Sequence, residues 1–141
     1  MEIMTNAKKK APKADLQGVF IQKFLPAGHE FIVGALKDPN FGHLVMAGLG
    51  GIYTELFRDT AFRIAPIGDE DAYAMLQELR SWKMLLGLRG KEQSDIVALA
   101  KLIAQVSQLV TDCPEIVELD LNPVIVRSDG VVIADAKVII G

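Results

Sequence analysis

Cysteine is nearly absent from this chain: Cys113 is the only one in 141 residues, which excludes a disulfide framework and fits a reducing, cytoplasmic setting. Long apolar runs are missing too. The longest uncharged apolar run, Leu44 to Tyr53, covers ten residues and is interrupted by Gly48-Leu49-Gly50-Gly51, well short of the ~20 residues that span a bilayer. No apolar stretch of signal-peptide length follows the N-terminal lysines, so no membrane role is expected. Excess positive charge is also lacking, with 15 Lys plus Arg against 18 Asp plus Glu. Four lysines (Lys8, Lys9, Lys10, Lys13) against Glu2 make residues 1–13 net +3, leaving −6 for the rest. Broad nucleic-acid binding is therefore not expected, and a short terminal lysine run without aromatics reads as a solvated helix end.

What remains is an ordinary globular composition, half apolar with a mean hydropathy of +0.28. A chain of this length buries roughly two-thirds of its unfolded surface without a disulfide or structural metal. Residues 2–10 suit a short helix ended by Pro12, so residues 1–13 read as a helical remnant and connector, and 14–141 as one lobe. Gly18–Phe24 and Glu30–Leu36 are rich in β-branched and aromatic residues and predict a hairpin. Asp38-Pro39-Asn40 breaks the chain, and His43–Ala47 and Ala61–Ala65 predict further strands. From Asp69, a plausible N-cap, Ala72, Met75, Leu76 and Leu79 follow helical spacing. Ser94 or Asp95 caps a stronger helix carrying Ile96, Leu99, Ala100, Ile103, Val106 and Val110, which Cys113-Pro114 ends. Glu115–Val126 and Val131–Ile139 close the chain as a hairpin. The predicted fold class is α+β, an antiparallel or mixed sheet with helices packed on one face.

Chemistry concentrates in that last hairpin. Val117, Leu119 and Leu121 alternate with Glu118, Asp120 and Asn122, so three oxygen-bearing side chains share one face. With a type I′ turn at Asp129-Gly130, Asn122 opposes Lys137 and Asp135 joins the same side, while Val132, Ala134 and Ala136 point inward. Two carboxylates ~6 Å apart repel by roughly 3 kcal/mol at an effective dielectric near 20, which a cation offsets. Two acids and an amide suit Mg²⁺ completed by water and phosphate oxygens. The alternative is a wet sheet face on which Lys137 neutralises the acids. Gly48-Leu49-Gly50-Gly51 admits either a tight bend or a phosphate contact. Arg63 admits either a phosphate or a structural pairing with Glu55 or Asp59, and Arg89 either a ligand or solvent. His29 and His43 stand 14 residues apart with no carboxylate or cysteine at metal-ligand spacing and no triad in the sequence around them, and Trp82, Tyr73 and the methionines read as core.

Taken in order, GVFIQKFLPAGHEFIVGALKDPNFG, MAGLGGIYTELFRDTAFRIAP, LLGLRG and ELDLNPVIV with GVVIADAKV resemble the ATP-grasp region of the ADP-forming acyl-CoA synthetases, and more loosely the β subunit of succinyl-CoA synthetase. The resemblance implies the second lobe of an ATP-grasp unit, binding Mg²⁺ and ATP or ADP. It implies that Asp120 and Asn122 are the acid and amide of a metal motif, with Asp135 as the aspartate of the closing strand. It further implies nucleotide-side roles for Glu30, Gly48, Gly50 and Gly51, and a catalytic-site position for Arg63. Such enzymes interconvert acyl-CoA, ADP and phosphate with acid, ATP and CoA through acyl phosphate and phosphohistidine. The first ATP-grasp lobe and the CoA-binding domain or subunit are then the expected partners. The chain alone is expected to be inactive and, with open apolar surface, prone to self-association. The alternative is a non-catalytic regulatory or assembly domain of a protein acyltransferase.

Overall fold

In the computed structural model, which describes residues 2–51, 59–87 and 92–141, the longest continuous apolar strand lies at the middle of the sheet. This is β1 (His29–Asp38). β2 (Gly42–Leu49) pairs antiparallel with one edge of β1, and β4 (Ile116–Arg127) with the other. β3 (Thr60–Ile64) adds outside β2. β5 (Gly130–Ile133) and β6 (Ala136–Ile140) follow one another along the free edge of β4. The resulting six-stranded sheet is antiparallel at every pairing. The β1–β2 turn forms where the Asp38-Pro39-Asn40 break was expected: Asp38 Oδ1 accepts the N–H groups of Asn40 (2.8 Å) and Phe41 (3.0 Å), the local bonding that favours Asp at turns.

Four helices complete the described chain: α1 (Glu2–Lys10), α2 (Asp69–Gln77), α3 (Trp82–Leu85) and α4 (Ile96–Asp112). In α4 the residues Ile96, Leu99, Ala100, Ile103, Val106 and Val110 are all buried, as their spacing requires. Asp95 is its N-cap and accepts the Ala98 N–H at 2.9 Å. In α2 the cap is Gly68, and Asp69 is the first helical residue. Helices α2 and α4 meet Phe31, Val33, Ala35, Val45, Ala47, Leu119, Leu121, Val124 and Val126 in one core, so helices do pack on one sheet face.

Three local expectations change. Gly18–Phe24 forms no strand, because β2 and β4 occupy both edges of β1 and leave it none to pair with. Val19, Phe20, Ile21 and Phe24 stay exposed. At the start of β4 the register shifts between Ile116 and Glu118, so Ile116 is buried and Val117 only half-buried. Finally, Val132, Ala134 and Ala136 are exposed; Val132 opposes Ile125, on the sheet face away from the core residues Val124 and Val126. The positions of Glu55 and Arg89 fall outside the described residues.

Candidate functional site

Opposed residues of an antiparallel pair share a face, so the core residues of β1 identify what lies on the other side. Phe31, Val33 and Ala35 face the helices; Glu30, Ile32, Gly34 and Leu36 therefore face away. Their neighbours in register are Gly48, Met46 and Leu44 of β2, and beyond these Thr60, Phe62 and Ile64 of β3. On the β4 side stand Asp120 opposite Gly34 and Glu118 opposite Leu36. A groove of about 320 Å³ on this face is lined by Ile32, Gly34, Leu36, Leu44, Met46 and Phe62, with Glu118, Asp120 and Asn122 along one wall. Leu36, Phe62 and Ile64 remain about half exposed there.

The acidic wall is shaped by a bulge. Between its partners β1 has only Ile32, whereas β4 places Asn122 and Pro123 between Leu121 and Val124; such insertions re-aim side chains. The Asn122–Pro123 peptide bond is cis. The closing hairpin turns at Ser128-Asp129, with Arg127 opposite Gly130, not at Asp129-Gly130. Arg127 pairs with Asp129, holding that carboxyl below its ordinary range through the hydrogen bond it donates. Ser128 donates to Glu92 at 2.6 Å. Every partner thereby moves by two residues: Asp120 opposes Lys137, and the Asn122 N–H donates to the Asp135 carbonyl at 3.2 Å. A slip of two preserves the face where a slip of one would reverse it. Asp120 thus keeps the open face, Asn122 lines the same groove from the bulge, and the Asp135 backbone lies directly beside that of Asn122.

Lys137 does not neutralise the two aspartates. Its ammonium donates to Glu118 at 2.9 Å, while Asp135 Oδ1 accepts the adjacent Ala136 N–H at 3.0 Å. Among the described residues no ion pair falls on Asp120 or Asp135. Nor does any group of three or more His, Cys, Asp or Glu side chains converge to hold a metal there. Two carboxylates and an amide would supply a partial, all-oxygen shell. This donor set fits Mg²⁺, which keeps several waters and takes further oxygens from phosphate.

The glycine segment lies at the other end of β1. Glu30, Gly50 and Gly51 line a second cavity of about 340 Å³ with Gly28, His29, Leu49 and Met84. The Gly50 N–H donates to the Glu30 carbonyl at 2.7 Å and the Leu49 N–H to the Asp59 carbonyl at 3.1 Å, so these two donors are spent within the protein. The chain approaches β1 closely at Gly50, where a Cβ would stand 3.0 Å from the Glu30 carbonyl carbon. At Gly51, φ is +72°. Gly48 shares the open face opposite Ile32 and lies against the Asp59 carbonyl.

Arg63 is not brought to this face. It opposes Val45, a core residue, in the β2–β3 register, and its guanidinium pairs with Glu78 at the end of α2. The hydrogen bond raises the arginine and lowers the carboxyl relative to their ordinary values. Asp59, the other acid considered for it, is buried and accepts the Arg80 and Ser81 N–H groups at 2.7 and 2.8 Å. His43 is buried with Nε2 2.7 Å from the Ile116 carbonyl. Tyr73 and Trp82 meet edge to face at 5.5 Å against the core.

The apolar floor of the groove was missed in the sequence. A signal for it exists: Phe31 to Leu36 is apolar without alternation, the pattern of a strand covered on both faces. Here only one of those faces is covered by helices.

Residues 1–140 match the sequence profile described as the ATP-grasp domain. The β subunit of acetate–CoA ligase (ADP-forming) I of Pyrococcus furiosus is 46% identical over 138 residues, 98% of this chain and 60% of that one. Acetate–CoA ligase (ADP-forming) I of Archaeoglobus fulgidus is 44% identical over 140 residues, 99% of this chain and 20% of that protein. Among solved structures, acetyl-coenzyme A synthetase 1 of Candidatus Korarchaeum cryptofilum, in complex with coenzyme A and Mg-AMPPCP, is 44% identical with a TM-score of 0.81, covering 84% of this chain and 55% of that one. The chain therefore spans well under two-thirds of these relatives. With its six-stranded antiparallel sheet and helices on one face, and a profile match over nearly every residue, this chain belongs to the ATP-grasp domain family.

Proposed function

We propose that this chain is the metal- and nucleotide-binding lobe of an ADP-forming acyl-CoA synthetase, which interconverts acyl-CoA, ADP and phosphate with a free acid, ATP and CoA. What supports the reading is that Asp120 and Asn122 line one wall of the apolar groove, that Asp135 is joined to Asn122 through the backbone, and that among the described residues no ion pair falls on either aspartate. In this reading the two carboxylates and the amide oxygen hold Mg²⁺ against the nucleotide. When bound, the metal screens charge on the phosphates and keeps them in line for transfer. Ile32, Met46 and Phe62 exclude water from one side of the ligand. The Mg-AMPPCP complex of the Korarchaeum relative, whose phosphohistidine segment points towards its nucleotide site, supports the same ligand class.

The rest of the reaction is assigned to other parts of a larger enzyme. His43 is buried and bound to a backbone carbonyl, which does not suit a histidine that carries phosphate between sites, and the phosphohistidine is assigned to another part of the enzyme. The open sheet face and the exposed Val19, Phe20, Ile21 and Phe24 suit docking of the remaining ATP-grasp lobe and a CoA-binding part. Alone, the chain binds without turning over and self-associates through that apolar surface. The test is thermal unfolding in millimolar Mg-ADP or Mg-ATP: the wild type shifts upward and Asp135→Ala does not. An unchanged wild-type transition, or an equal shift in the variant, counts against the proposal.

A further inference from the structure

Lys137 and Glu118 both lie on the open face, and the metal-binding reading gives them no task. Lys137 is the residue directly opposite Asp120, a position from which its side chain has an acid within easy reach, since opposed Cβ atoms lie ~4.5–5.5 Å apart. It does not take that acid. Its ammonium crosses diagonally to Glu118 Oε1 at 2.9 Å, one alternate position further from Asn122 and Asp135 along β4. The lysine would be the natural competitor of any cation for Asp120, and Glu118 is what draws it aside.

We infer that Glu118 is a positioning residue of the metal edge, holding the Lys137 ammonium off Asp120 and so leaving that carboxylate open to a divalent cation. The inference rests on the metal-binding reading above and deepens it. Glu118 contacts neither metal nor nucleotide in this account; it acts through Lys137. Loss of its carboxylate has two effects that can be separated. One is the removal of a nearby negative charge, which lowers cation affinity whatever Lys137 does. The other is the release of Lys137 to pair with Asp120, which requires the lysine to be present.

A double-mutant cycle isolates the second effect. Mn²⁺ binding is titrated in the presence of ADP by the electron paramagnetic resonance signal of free Mn²⁺, using wild type, Glu118→Gln, Lys137→Met and the double variant. Glu118→Gln is expected to weaken Mn²⁺ at least fivefold in the wild-type background and less than twofold in the Lys137→Met background, with Lys137→Met restoring the affinity that Glu118→Gln loses. Melting temperatures in the absence of metal are expected to agree within about 2 °C, as is usual for an exposed ion pair. Equal losses in both backgrounds would overturn the inference, since charge alone then explains them. A wild type that fails to bind Mn²⁺ would instead overturn the metal-binding reading itself.

Discussion

Replacing Gly50 by alanine tests whether the glycine segment is seated on β1 as described. The added Cβ would lie 3.0 Å from the Glu30 carbonyl carbon, 3.1 Å from its oxygen and 3.2 Å from the Phe31 carbonyl carbon, all shorter than ordinary van der Waals contact. Those atoms cannot retreat. β1 is paired on both edges and Phe31 is fully buried beneath it. Gly50 must therefore withdraw by a few tenths of an ångström and stretch the 2.7 Å bond from its N–H to the Glu30 carbonyl. Overpacking of this kind costs about 1–3 kcal/mol, from which the lower entropy of an unfolded alanine recovers about 0.4–1 kcal/mol. The net expectation is a loss of about 1–2 kcal/mol. With a urea slope of about 2 kcal/mol/M, the unfolding midpoint falls by about 0.5–1 M at unchanged slope. A midpoint equal to or above that of the wild type would show that the segment does not lie against the Glu30–Phe31 backbone.

Three further outcomes follow from Arg63, Glu78 and Asp59. Arg63→Ala is expected to leave the thermal shift by Mg-ADP intact, because Arg63 points away from the open face; a lost shift would return it to the site. The Arg63 hydrogen bond lowers the Glu78 carboxyl, so the stability difference between wild type and Glu78→Gln is present above the ordinary carboxylate pKa of about 4. That difference disappears as pH falls through the lowered folded value, which chemical denaturation between pH 7 and pH 2 measures. Asp59→Ala strands two N–H groups that the buried carboxylate accepts and is expected to destabilise the fold by about 2–4 kcal/mol. A change below about 1 kcal/mol in urea unfolding would contradict that role.

The legible parts of this chain were those where one period ruled. The α4 stripe follows directly from spacing, which left its cap open between Ser94 and Asp95; the open-face position of Asp120 was unaffected by the two-residue error in register, whereas beyond the Asn122–Pro123 bulge alternation no longer holds and Val132 falls on the face opposite to the one expected. What resisted reading depends on neighbours that sequence does not name. Gly18–Phe24 has strand composition, but whether a strand forms is decided by free edges, and β1 has none to offer it. Arg63 sits among apolar residues on either reading; only the β2–β3 register assigns it to the helix side, where Glu78 waits 15 residues away. The ion pair between Lys137 and Glu118 is a diagonal choice between two acids of equal chemistry, which spacing cannot make. The apolar groove was hidden because β1 reads as buried on both faces, and nothing in its composition says which face the helices cover.

The most direct measurement is a crystal of this chain grown with ADP and Mn²⁺, examined at a wavelength where manganese scatters anomalously. The account places the anomalous peak on the open sheet face, within ~2.2 Å of carboxylate oxygens of Asp120 and Asp135 and beside Asn122, with the remaining ligands drawn from water and the nucleotide phosphates. Bound nucleotide with the peak elsewhere, or with either aspartate turned from it, would contradict it.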